Sequence, residues 1–288
     1  MKILTSRDLK PLLEVSKRSI RGFFEHDMST YAAALAYRML FALVPFFAFV
    51  VALLGFLEVS SFFEWLIDQV RSTLQEQYAG LGERLIKQSL YQARGELLSS
   101  VVIIALWSVA GGVRSLTKAL NAVHGVGESR PTWKRVGLQL FFALGLAIAI
   151  ILAMSLLLIG PRVIEWLVGL VGLDEIFVSL WTWLRLPVAL VLIMPVVSIV
   201  YWAIPNVYQP FRLIIPGAAL SVIVWVVASL AFSYYVSNFA NYSVVYGSLG
   251  VAIGLLLYFY ISAAVLLLGA EVNAVIRNAS RKSGRKRG

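Results

Sequence analysis

Among the side chains able to do chemistry, this chain offers two histidines, His26 and His124, and no cysteine. Hydrolysis of a phosphodiester with metal ions needs several carboxylates or imidazoles converging on one or two divalent cations. Here the histidines are isolated from one another, and Glu271 is the one acid that falls inside a long apolar run. Without cysteine there is no disulfide, no thiolate metal site and no cysteine nucleophile. No glycine-rich phosphate loop followed by Lys-Ser or Lys-Thr is present, so the chain by itself does not drive transport with ATP. The sequence therefore points away from an enzyme, and implies neither metal nor cofactor. What it does contain is charge in an apolar setting: Arg38 in YAAALAYRMLFALVPFFAFVVALLGF and Glu271 in LLGAEVNA.

That setting is a membrane. Hydrophobic residues make up 60% of the chain and charged ones 14%, against roughly a quarter charged in ordinary globular proteins. A helix needs about 20 apolar residues to cross ~30 Å of hydrocarbon. Six runs meet that length, at 31–56, 97–120, 136–160, 184–204, 213–236 and 247–275. The expected fold is all-α, a polytopic bundle of six transmembrane helices spanning 31–275, read as one membrane domain over 1–288. Residues 1–30 are charged and polar, with no cleavable leader pattern. Residues 276–288 form a basic tail.

Lysine and arginine mark cytoplasmic loops. They concentrate in the N-terminus, in the 114–135 segment, at Arg212 and in the tail, so both termini are expected in the cytoplasm. The net charge of +10 is then a topogenic signal and an attraction to anionic headgroups. The basic residues are spread over several segments, which disfavours nucleic acid as a partner.

Between the first two spans, Phe62, Leu66, Val70 and Leu74 recur at helical spacing, followed by Leu81, Leu85, Leu90 and Leu98. Amphipathic helices outside the membrane are expected within 58–96, either capping the bundle or lying in the outer leaflet. In the last span Gly247, Gly250, Gly254 and Gly269 share a face, the pattern of a close-packing seam in lipid. Pro45, Pro195 and Pro216 are expected to kink or interrupt spans and to free backbone carbonyls.

Taken in order, YAAALAYRMLFALVP, WSVAGGVRSLTKALNAVHGVGESR, IPN at 204–206, PGA at 216–218, VVYGSLGVAIGLLLYFY and LLGAEVNA resemble the YihY/BrkB family of bacterial inner-membrane proteins. The resemblance runs through most of the chain. It implies six spans with both ends cytoplasmic, and little chemistry. Arg38 departs from the aromatic or aliphatic residue that the family pattern implies there. The ribonuclease label the family has carried finds no support in the residues, and His26 and His124 read as interfacial polar groups.

Arg38 lies seven residues inside Tyr31, about 10 Å deep at 1.5 Å per residue, and Glu271 is about 9 Å deep on the same measure from Arg277. Charges inside a bilayer usually pair or line a polar cavity. Arg38 and Glu271 are accordingly expected to meet if the first and last spans are neighbours, the rival being an Arg38 that snorkels to the interface. Asn121 and Asn273 add hydrogen-bonding groups to this intramembrane polar site, and Arg114 and Lys118 are the expected headgroup contacts. The function expected from this arrangement is binding or transport of a membrane lipid or other amphiphile. The alternative is a non-transporting scaffold that holds an envelope protein partner. Oligomeric state is open at this level.

Overall fold

The computed structural model describes residues 6–56, 96–142, 144–145, 193–239 and 242–285. All regular structure among them is helical. In chain order the helices are α1 (Ser6–Glu25), α2 (Met28–Phe56), α3 (Glu96–Val123), α4 (132–142), α5 (Ile193–Ala203), α6 (Ile215–Phe239) and α7 (Tyr242–Arg285), with a 3₁₀ turn at Phe211–Leu213 before α6.

Among the described residues four stretches are long and apolar enough to cross a membrane: Met28–Phe46, Ile103–Val123, Phe211–Asn238 and Gly250–Ser280. α5 is apolar but shorter. The expected span at 136–160 falls largely outside the described residues, as do the external helices expected within 58–96; of the expected span at 184–204 the described part is α5 and Ile204. The all-helical membrane architecture stands; four candidate spans lie among the described residues, and the expected total of six extends beyond them.

The chain divides into two compact units. In the one comprising Phe41–Gly111 and Gln139–Asp174, the described helix segments expose Phe41, Val44, Ile103, Ile104, Trp107 and Phe141. Large apolar side chains on view along helices of this length are what a lipid surround requires. Pro45 lies within α2, and the helix continues past it to Phe56. The other unit comprises Met1–Leu40, Gly112–Leu138 and Glu175–Gly288, and holds every contact described below.

In that unit α6 and α7 form an antiparallel hairpin built on small and polar residues. Trp225 donates its indole N–H to Ser262 Oγ at 3.1 Å, Ser229 and Tyr258 share a hydrogen bond at 3.2 Å, and the Phe232 and Tyr258 rings lie 5.2 Å apart. At the tight end, a Cβ on Gly217 would collide with the Gly269 carbonyl oxygen and Asn273, and one on Gly269 with Ser221 Oγ. Packing replaces the hydrophobic effect as the glue between helices in lipid, so backbones approach where side chains vanish. The seam thus runs through Tyr258, Ser262, Gly269 and Asn273, which corrects the glycine stripe expected from sequence. A Cβ on Gly254 would meet nothing within 4 Å, and Gly250 is half-buried. The surroundings of Gly247 lie outside the described residues.

Residues 6–25 are the main departure from a plain polar N-terminus. They form a 20-residue helix that packs on α7. Val15, Ser19, Gly22 and His26 recur at steps of four and three, which puts them on one face. α1 ends at a two-residue corner, His26-Asp27, where Asp27 adopts a left-handed φ of 55°. Aspartate tolerates that conformation better than most residues. Its carboxylate accepts the Thr30 hydroxyl at 2.9 Å, and its carbonyl accepts the Thr30 and Tyr31 amides, so the corner leads directly into α2.

α3 ends in a Schellman closure. The Gly125 amide donates to the Ala122 carbonyl at 2.9 Å and the Val126 amide to the Asn121 carbonyl at 3.0 Å, with Gly125 at a φ of 62°.

Candidate functional site

Two polar clusters are built on this frame. The first joins α1 to α7. Glu271 is a carboxylate within a candidate span, its side chain 2% exposed. Its Oε1 lies 2.6 Å from His26 Nδ1, and the imidazole is 42% exposed. Oε2 faces Gly22, where a Cβ would stand 2.7 Å away. Two features of α1 therefore make room for the carboxylate: a helix position without a side chain, and an imidazole at the last turn that reaches back to it. A buried carboxylate without such a partner would be left with its full desolvation cost.

This arrangement overturns the expected pairing of Arg38 with Glu271. Arg38 is exposed, and no ion pair joins it to Glu271. The reason is angular. The buried stripe of α2 runs through Met28, Ala32, Leu35 and Ala36, and Arg38 sits about 105° around the helix from its centre at 100° per residue. The depths expected for the two charges are close, about 10 and 9 Å, but their helices turn them toward different neighbours. His26, read as an interfacial bystander, is the partner instead. The sequence carried a signal for it: Ser19, Gly22 and His26 at steps of three and four form a stripe of small residues ending in a titratable one.

The second cluster closes the C-terminal end of α5. Arg130 donates to the carbonyls of Ile204 at 3.1 Å and Pro205 at 2.6 Å, and the Gln209 amide donates to the Tyr201 carbonyl at 2.8 Å. These are the orphan carbonyls that any helix end leaves, here met by a cation suited to the negative end of the helix dipole. Asn121, buried on α3, accepts the Asn206 amide at 2.7 Å and donates to Glu128 at 3.1 Å. Asn206 in turn donates to Gly127 and Ser129. The segment IPN is thus clamped against the loop 124–130 by side chains from both directions.

His124 belongs to the same cluster, with Nδ1 2.8 Å from the Leu120 carbonyl and Nε2 3.3 Å from Gln209 Oε1. Burial pushes its imidazole below the ordinary histidine range, and the positive charge of Arg277, buried on α7, acts in the same direction.

Asn273 plays a different part from Asn121. It is buried and accepts the Gly217 amide at 2.8 Å, which fixes the first turn of α6 to α7. The Tyr201 hydroxyl donates to the Leu266 carbonyl and shares a 2.7 Å hydrogen bond with Ser221, tying α5 into the same hairpin. Arg114 and Lys118 are exposed one turn apart on α3. The expected polar site is therefore distributed: Glu271 meets α1, Asn273 meets α6, Asn121 meets the IPN loop, and Arg38 stands apart.

Beside the IPN loop is an open recess of about 280 Å³, lined by Arg130, Trp202, Pro205, Asn206, Tyr208 and Gln209 among others. Tyr208 is 89% exposed and Trp202 is also on view. No group of three or more histidine, aspartate or glutamate side chains able to hold a metal ion occurs among the described residues.

Long apolar helices with lipid-facing side chains, stitched by small residues and closed at one end by buried polar clusters, define a polytopic helical membrane protein. The chain belongs to the family described as virulence factor BrkB, whose model matches residues 19–288. It is 33% identical over 261 residues to the putative ribonuclease-like protein YfkH of Bacillus subtilis, covering 89% of this chain and 92% of that protein. It is 28% identical over 292 residues to a UPF0761 membrane protein of Chromohalobacter salexigens, covering 98% and 68%, and 27% identical over 292 residues to one of Pseudoalteromonas atlantica, covering 96% and 91%. No solved structure matches the chain.

Proposed function

We propose that this chain is a multi-pass protein of the bacterial inner membrane, with both termini in the cytoplasm, that binds and moves an anionic amphiphile. The observation that carries the reading is the recess at the end of α5. Its volume of about 280 Å³ lies near the lower limit for small-molecule sites, about 300 Å³, which suits a headgroup whose chains remain in lipid. Its wall combines the Arg130 cation and the amides of Asn206 and Gln209 with the rings of Trp202 and Tyr208. Tryptophan and tyrosine prefer the interfacial level of a bilayer, where a headgroup lies. Exposed Arg114 and Lys118 on α3 supply further positive charge for the approach of an anion.

The reading assigns no catalysis to the chain: its intramembrane carboxylate is engaged by His26, and Arg130 and Asn121 are engaged in holding backbone. The name of the Bacillus relative touches nuclease chemistry, but as a name alone it assigns none to this chain.

The test is purification in mild detergent with mass spectrometry of retained phospholipid, and a fluorescent-lipid scrambling assay in proteoliposomes. Retention of anionic phospholipid by the wild type, reduced in a Trp202→Ala, Tyr208→Ala variant that stays folded, supports the reading. Absence of both retention and scrambling ends it. Reporter fusions at the C-terminus check the orientation, and an external score there would reverse it.

A further inference from the structure

We propose that α1 is a membrane-surface helix whose exposed apolar face lies in the lipid interface. By the 100° wheel α1 has three faces about 120° apart. The first, Val15, Ser19 and Gly22, packs on α7. The second carries the ion pairs Glu14 with Arg18 and Arg21 with Glu25, all four side chains more than half exposed, and belongs in water. The third carries Ile20 and Phe24, 52% and 70% exposed.

Among the described residues no protein surface covers that third face, and large apolar side chains do not suit water. The occupant follows from the chain's path. Two residues separate α1 from α2, and Met28 opens a candidate span. At ~3.3–3.6 Å per residue Phe24 stands at most about 14 Å from that entry. The apolar face of α1 is therefore held beside the same lipid that surrounds exposed Tyr37, Met39 and Phe41 further along α2. Lys17 falls at the border between the apolar and charged faces, where a lysine stem covers apolar surface while its ammonium reaches headgroups. A helix of this kind rests about 5–10 Å into the boundary between headgroups and acyl chains.

Because the chain contains no cysteine, single-cysteine variants need no background substitutions. Full-length Ile20→Cys, Phe24→Cys, Glu14→Cys and Arg18→Cys would be spin-labelled and reconstituted in vesicles of phosphatidylethanolamine and phosphatidylglycerol. Their accessibility to molecular oxygen and to a water-soluble nickel chelate is then read by electron paramagnetic resonance. Labels at 20 and 24 are expected to be open to oxygen and shielded from nickel, and labels at 14 and 18 the reverse. Equal nickel accessibility at all four positions would overturn the proposal. So would labels at 20 and 24 that are immobilised and shielded from both reagents, because a protein surface would then cover the face.

Discussion

Gly22 and Glu271 stand against each other across 249 residues of sequence, and a Cβ on Gly22 would approach the carboxylate oxygen Oε2 to 2.7 Å. The missing side chain on α1 is what allows the carboxylate on α7 to reach His26 from inside the bundle. Gly22→Ala should therefore displace Glu271 and cost about 1–3 kcal/mol, the usual range for overpacking. Combined with Glu271→Ala the same substitution should be neutral or favourable, since alanine is the better helix former by about 1 kcal/mol. Thermal melting in detergent measures both, and strictly additive effects would show that the contact is not felt.

The His26–Glu271 bond leads to a second expectation. His26→Ala leaves a buried carboxylate without its partner and should cost about 1–3 kcal/mol. Arg38→Ala, on an exposed position, should stay within about 0.5 kcal/mol of wild type. Equal losses for the two variants would restore Arg38 to the site.

Glycines of the α6–α7 hairpin should separate sharply. Gly269→Ala and Gly217→Ala each drive a methyl group into the opposing backbone or into Ser221, and should sharply reduce recovery of folded protein from the membrane. Gly254→Ala, with open space around the new Cβ, should be tolerated or slightly stabilising. Recovery by fluorescence-detected gel filtration decides it, and a well-behaved Gly269→Ala would mean that the hairpin is looser than its seam.

Arg130 holds two carbonyls at the end of α5 with a planar fork, a task lysine cannot repeat. Arg130→Lys should destabilise by about 1–2 kcal/mol, close to the loss for Arg130→Ala. Limited proteolysis within 124–130 should accelerate in both. Full rescue by lysine would show that charge alone matters there.

For His124, burial lowers the folded pKa below the unfolded value of about 6.5. The unfolded chain then binds the proton first as pH falls, so the contribution of this group is complete above about pH 6.5 and is lost on further acidification. Between about pH 7.5 and 5.5 the melting temperature of the wild type should fall more steeply than that of His124→Gln. Parallel curves would exclude His124 as a contributor.

How much of this was legible varies from element to element, for physical reasons. The cores of α2, α3, α6 and α7 follow from apolar length, because crossing hydrocarbon is a local requirement that each segment meets alone. α1 was harder to read: its packing face consists of Val15, Ser19 and Gly22, whose burial is invisible to a search for large apolar residues. The role of Asn121 was half legible. A buried asparagine next to IPN indicates hydrogen bonding, but not that its partner is the Asn206 amide 85 residues away.

The sequence by itself determined the class of protein, the positions of its longest helices and the depth of Glu271 along its own helix, since these depend on composition and on the rise per residue. Only the tertiary structure decided which groups meet. Partnership depends on the azimuth of each side chain and on which helices are neighbours, and the folding back of α1 onto α7 set both. That is why the carboxylate lies against Gly22 and His26, and the arginine at nearly its own depth faces elsewhere.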